Sequence, residues 1–186
     1  MRGLMIATLM WGTAAAAQEA CVSIGDDVAR LACFDTVFAS DGSWKLEETI
    51  DAMDDATTVV LSVTANSRLS CGTLHRPVLA LTCNSQRRVT SLLLIHGCYA
   101  PPTTSRSVIA EMRIGSGDAS EYWFEVGVDS QTFGRYSDAS RLIRSFFGAE
   151  TLTVRFRPYQ DNPVTMVFDI NGTEEAVAPL RDACGW

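Results

Sequence analysis

Beyond residue 56 the dominant period of apolar residues is two, and that alternation predicts strands. The β-branched run Val59 to Val63, then Pro77 to Cys83 and Val89 to His96, read as the first three, the last two forming a hairpin around Asn84 to Arg87. Ser107 to Ile114 alternates cleanly, with Val108, Ala110, Met112 and Ile114 opposed to Ile109, Glu111 and Arg113. Glu121 to Val128, Thr151 to Pro158 and Val164 to Ile170 complete the strands. Between them, Ser137 or Asp138 caps a helix whose Leu142, Ile143, Phe146 and Phe147 form one stripe, and Gly148 stops it. A last helix follows Asn171-Gly172, with Ala176, Val177, Leu180 and Cys184 on one face.

Strands joined by tight turns, then strand, helix, two strands and helix, give an α+β domain over residues 56–186. It is a mainly antiparallel sheet or sandwich with one helix before the last strand pair and a C-terminal helix. Residues 18–55 differ. They hold ten acids against Arg30 and Lys45, whereas residues 56–100 hold no acid and four arginines, so 18–55 reads as a separate acidic module. Its short helix carries Val28, Leu31, Ala32 and Phe34 at helical spacing, capped by Asp26 or Asp27.

The first seventeen residues have a different origin. Arg2, the apolar stretch Leu4 to Trp11 and the small residues Ala14 to Ala17 stand in the order of a cleaved secretory signal peptide. The apolar stretch is far short of the ~20 residues that cross a bilayer, so no integral span is expected. Gln18, Glu19 and Ala20 before Cys21 do not suit a lipidation site. The mature chain is therefore expected to be periplasmic or secreted.

Export changes the meaning of the six cysteines, all of which lie after residue 17. In an oxidising compartment an even number of cysteines reads as crosslinks, of which six permit fifteen pairings. Strand geometry ranks them. With Ser85-Gln86 as the turn, Asn84 faces Arg87 and Cys83 faces Arg88, about ten residues along the strand from Cys98 and out of bonding reach. Cys98 instead faces position 73, diagonal to Cys71. Cys83 shares a face with Leu79 and Leu81, the face that receives the last helix, which favours Cys83 with Cys184. Cys21 and Cys33 remain as the third pair. Zinc is the competing reading, because His75 follows Cys71 by four and His96 precedes Cys98 by two, but no C-x-x-C anchors it.

Other chemistry is sparse. A pI near 4.8 and a net charge of -7 offer no basic face for nucleic acid. The adjacent carboxylates Asp26-Asp27, Glu47-Glu48, Asp54-Asp55 and Glu174-Glu175 could suggest acid and base pairs, yet sequence neighbours need not face each other, and at helix starts they complement the dipole. Of fourteen arginines, Arg155 and Arg157 share a strand face, with Tyr159 following, and could grip a carboxylate or phosphate. These three are the candidate interaction residues. No catalytic residue, metal or cofactor is expected.

Two blocks carry a family resemblance. Cys21 to Asp35, and the C-terminal run from Leu142 through Phe147-Gly-Ala, Leu152 to Tyr159, Asn162 to Asp169 and Ala178 to Trp186, resemble the VasI/TagO family of exported proteins associated with type VI secretion systems. The closing Pro-Leu-Arg-Asp-Ala-Cys-Gly-Trp is the most specific part, while Ser67 to Arg76 and Gly97 to Tyr99 depart from the pattern. The resemblance implies an accessory protein of the cell envelope that binds a protein partner, secretion-system components among the candidates, rather than catalysing a reaction. The rival expectation is an exported inhibitor or immunity-like protein, of a phage-linked kind, outside any secretion cluster.

Overall fold

The structure is a computed structural model that describes residues 24–26, 29–30, 44–74 and 76–186. The chain divides into two compact units, Met1–Ser40 and Asp41–Trp186. In the first, Asp26 caps a helical turn: its Oδ2 accepts the Ala29 N–H at 2.8 Å and its carbonyl accepts the Arg30 N–H at 2.8 Å. The signal peptide, Cys21, Cys33 and the rest of that helix lie outside the described residues.

The second unit is built on one nine-stranded antiparallel sheet. Its strands are β1 (Lys45–Ile50), β2 (Thr57–Thr64), β3 (Val78–Asn84), β4 (Val89–Ile95), β5 (Ser107–Ile114), β6 (Ser120–Val126), β7 (Thr132–Arg135), β8 (Thr151–Phe156) and β9 (Val164–Asp169). The spatial order is β1-β2-β3-β4-β7-β6-β5-β8-β9. Three helices interrupt or follow it: α1 (Ala139–Arg144), α2 (Thr173–Ala176) and α3 (Ala178–Cys184). Seven strands and the two helical regions fall where the periodicity places them. Strands β1 and β7 do not announce themselves. All six residues of β1 are exposed, so no face of it is selected for apolar residues, and β7 is four residues long.

The sheet rolls up. Beyond β2 the Asn66 N–H donates to the Val167 carbonyl of β9 at 2.8 Å, and the Ser67 hydroxyl accepts from the Val167 N–H at 3.1 Å, so β9 meets the chain leaving β2. Alternate residues of every long strand point into the enclosed space: Val59, Leu61 and Val63 from β2, Leu79, Leu81 and Cys83 from β3, Met112 from β5, Val154 from β8, Met166 and Phe168 from β9. Against the β2–β4 part of this face lies α3. It is separate from α2 because Pro179, near its start, has no N–H to continue the preceding turn. Gly185, at φ 71, ends it.

Two local expectations are corrected. The β3–β4 turn has four residues, not two: Asn84 faces Val89 and Cys83 faces Thr90. Asn84 Oδ1 accepts the Arg87 N–H at 2.9 Å and Arg88 takes φ 51, an Asx turn that holds the longer loop. Because the slip is an even number of positions, every side chain keeps its face. Likewise Asp138 occupies the N-cap position of α1 but makes no side-chain cap bond. Its carboxylate is held by Arg135 at 2.6 and 2.5 Å, a bidentate charged pair that outcompetes a backbone N–H.

Antiparallel strands put alternate loops at opposite ends of the roll. One end carries the loops 65–77, 96–106, 127–131 and 157–163, where Arg68, Arg76, Arg106 and Arg157 stand against Asp129 and Asp161. The other end carries all three helices and is the more acidic, with nine carboxylates against five arginines.

Candidate functional site

All four cysteines among the described residues are oxidised. Cys71 bonds Cys98 and Cys83 bonds Cys184. Cys83 lies on the inner face of β3 and is fully buried, so the second bridge ties α3 to the core. The first joins two arginine-end loops that need glycine to approach one another. A Cβ on Gly72 would lie 1.9 Å from the Gly97 carbonyl oxygen, and both glycines have positive φ. The loop crossing therefore comes from paired glycines, not from the strand ladder continuing past Pro77.

His96 stands at the same end and is fully buried. Its ring packs against Phe133, centroids 4.2 Å apart, and Phe156, 4.5 Å apart. Nδ1 accepts the Cys98 N–H at 3.3 Å, which fixes the neutral tautomer with its proton on Nε2, and Nε2 has no hydrogen-bond partner among the described residues. Burial pushes the imidazole down from 6.5 to about 4, partly opposed by the Asp129 carboxylate. It is a core histidine. His75 lies outside the described residues, and among those described no three His, Cys, Asp or Glu side chains come together.

The three candidate interaction residues separate. Arg155 Nε donates to Glu111 Oε2 at 2.7 Å across the β5–β8 pair, and its NH2 contacts the same oxygen, so its charge is matched within the sheet. Arg157 has only a hydrogen bond to the Asp161 carbonyl, at 3.3 Å, and among the described residues no carboxylate pairs with it. Tyr159 is 58% exposed, and its ring meets Tyr99 edge to face at 5.8 Å. The Tyr159 N–H donates to the Tyr99 carbonyl at 2.9 Å, which locks the two loops together.

Arg157, Tyr159, Pro101, Pro102 and Ile109 together line a cleft of about 590 Å3. On the far side of the two tyrosines a second depression of about 380 Å3 runs between Tyr99, Gln131 and Asp161. Trp123, 52% exposed, pairs with Ile109 on the outer face of β5 and β6 and extends the apolar surface. Sequence reading missed Tyr99, Pro101, Pro102, Ile109 and Trp123. Only the Tyr99-Ala-Pro-Pro run signals them: two prolines fix an extended loop beside the tyrosine.

The arrangement can bind. Rigid rings and prolines expose apolar area at little ordering cost, and Arg157 supplies donors in a fixed fork. The family described as Type VI secretion system VasI, EvfG, VC_A0118 matches residues 40–186. That match begins after the Cys21 to Asp35 block and covers the whole sheet. No curated protein and no solved structure matches the chain.

Proposed function

Because the chain belongs to the VasI family of type VI secretion proteins, we propose that it is exported and serves that system in the cell envelope by binding a protein partner rather than by catalysis. The observation that carries this reading is the cleft at the arginine end: Tyr99, Tyr159, Pro101, Pro102 and Ile109 line it or its rim, Trp123 extends it, and among the described residues no carboxylate pairs with Arg157. Exposed aromatics with one arginine are the composition of interface anchors. Export is supported by the bridges, since Cys83 and Cys184 form a crosslink inside the core that a reducing cytosol would not favour. No helix among the described residues is long and apolar enough to cross a membrane.

The test is a photo-crosslinking residue at Ile109 in cells that express the secretion system, with the same residue at Glu174 on the helix end as control. A protein adduct specific to Ile109, recovered from the envelope on a chain that has lost residues 1–17, is the expected result. A chain that stays in the cytosol with Met1 intact would end the export reading. An Ile109 adduct pattern identical to that from Glu174 would end the binding reading.

A further inference from the structure

Resting on that binding reading and going beyond it, we propose that the cleft lined by Pro101, Pro102 and Tyr159 takes an extended, proline-containing peptide of the partner, with a carboxylate of that peptide on Arg157. Charge makes the first selection. The chain carries a net -7, yet the loops at this end hold four arginines against two aspartates. Within the sheet unit these loops therefore attract an acidic segment more than the helix end does. Local pairing sharpens it. Arg135 is matched by Asp138 and Arg155 by Glu111, whereas among the described residues Arg157 has a hydrogen bond only to a neutral carbonyl. A guanidinium with most of its five donors turned to solvent at the rim of an apolar cleft is suited to a carboxylate that arrives with apolar neighbours.

Composition makes the second selection. The lining includes two prolines and a tyrosine held edge to face against its neighbour, side chains with few rotatable bonds. Surfaces of proline and aromatic rings take up a polyproline II strand, which is already extended and loses little entropy on docking.

Titration calorimetry on the mature chain tests the idea with four probes. They are a synthetic peptide of repeated Pro-Pro-Leu-Glu, its Glu-to-Gln counterpart, its Glu-to-Lys counterpart, and a disaccharide-tetrapeptide fragment of peptidoglycan. The Glu peptide should bind, and the Gln counterpart or Arg157→Gln should each weaken it about ten-fold, the effect of losing one charge-assisted bidentate contact. Tyr159→Ala should weaken every binding peptide, and added salt should weaken only the Glu peptide. Arg155→Gln, two residues away at the end of β8 but already paired, should leave affinity unchanged and reports on folding. Equal affinity for the Glu and Gln peptides, no binding of any peptide, or binding of the peptidoglycan fragment alone would overturn the proposal. If any of these occurred while Ile109 still crosslinked a protein in cells, binding would stand and the acidic proline-containing ligand would fall.

Discussion

Acid should destabilise this protein through one side chain. His96 is neutral in the fold because burial among Phe133 and Phe156 holds it at about 4, against 6.5 in the unfolded chain. Between those values the unfolded chain binds a proton that the folded chain refuses. The stabilisation is thus complete above pH 6.5, is lost as pH falls towards 4, and is flat below. A gap of roughly 2.5, at about 1.36 kcal/mol per decade of proton affinity, makes the full loss ~3.4 kcal/mol. Integrated between pH ~7.5 and ~4.5 the loss is ~2.5 kcal/mol, a large share of the ~5 to 15 kcal/mol a domain possesses. Urea unfolding at the two pH values measures it, with His96→Asn as the comparison. Asparagine keeps an acceptor where Nδ1 takes the Cys98 N–H and does not titrate. The variant should be less stable than the parent at pH ~7.5, since it loses two ring contacts, yet its stability should vary much less across the window. His75 is present in both proteins and cancels. If the variant lost as much stability on acidification as the parent, the reasoning about His96 would be refuted.

Three further outcomes are expected. Replacing Cys83 and Cys184 together with alanine should lower the melting temperature more than replacing Cys71 and Cys98. The loops span 101 and 27 residues, for which chain entropy gives ~4.7 and ~3.6 kcal/mol, and differential scanning calorimetry would show the reverse order if the entropy argument failed. Gly72→Ala should destabilise by about 1–3 kcal/mol, because its Cβ meets the Gly97 carbonyl at 1.9 Å and its φ of 75 is one that L side chains rarely adopt, whereas Gly25→Ala should be nearly silent on the same assay. Arg155→Ala should cost no more than ~0.5 kcal/mol despite its short contacts to Glu111, since both partners are largely exposed; a loss several times larger in denaturant titration would show the pair to be structural.

Much of the fold was legible in the sequence because the buried face of each long strand leaves a mark every second residue. Strand β8 reads exposed-buried from Thr151 to Phe156 without a break. The Cys83–Cys184 bridge was legible for the same reason, as both residues inherit their direction from apolar neighbours. What escaped has an equally physical cause. Strand β1 is an edge with neither face buried, so hydrogen bonds to β2 define it and composition does not. The turn length after Asn84 depends on an Asx bond and one left-handed residue, which alternation does not encode. The candidate site was half legible. Arg155 lies in β8 and Arg157 just past its end, and that Arg155 is the one neutralised depends on Glu111, forty-four residues before it and opposite it in the sheet.

The two ends of the roll are held together differently. The closing run, Ala178 to Trp186, lies at the helix end and is occupied with packing. Leu180 and Cys184 are buried, a Cβ on Gly185 would meet the Arg88 guanidinium at 2.0 Å, and Arg144 stacks over the Trp186 ring at 5.0 Å. Changing any of these disturbs how α3 seats on β2 and β3. The loops that Cys71 and Cys98 join, the second of them running through Gly97 to Tyr99, lie at the opposite end. Tyr99 belongs to one of them and holds Tyr159 at the edge of the cleft. A bridge that fixes the loop beneath Tyr99 therefore acts on the binding surface as well as on stability. Replacing Cys71 and Cys98 with alanine should weaken the acidic proline peptide in step with the lost order of the 96–106 loop, as reported by tyrosine ring signals in NMR. Replacing Cys83 and Cys184, at the far end, should lower the melting temperature and leave affinity at temperatures well below it unchanged. Equal loss of affinity in both pairs would show that the two ends are not independent.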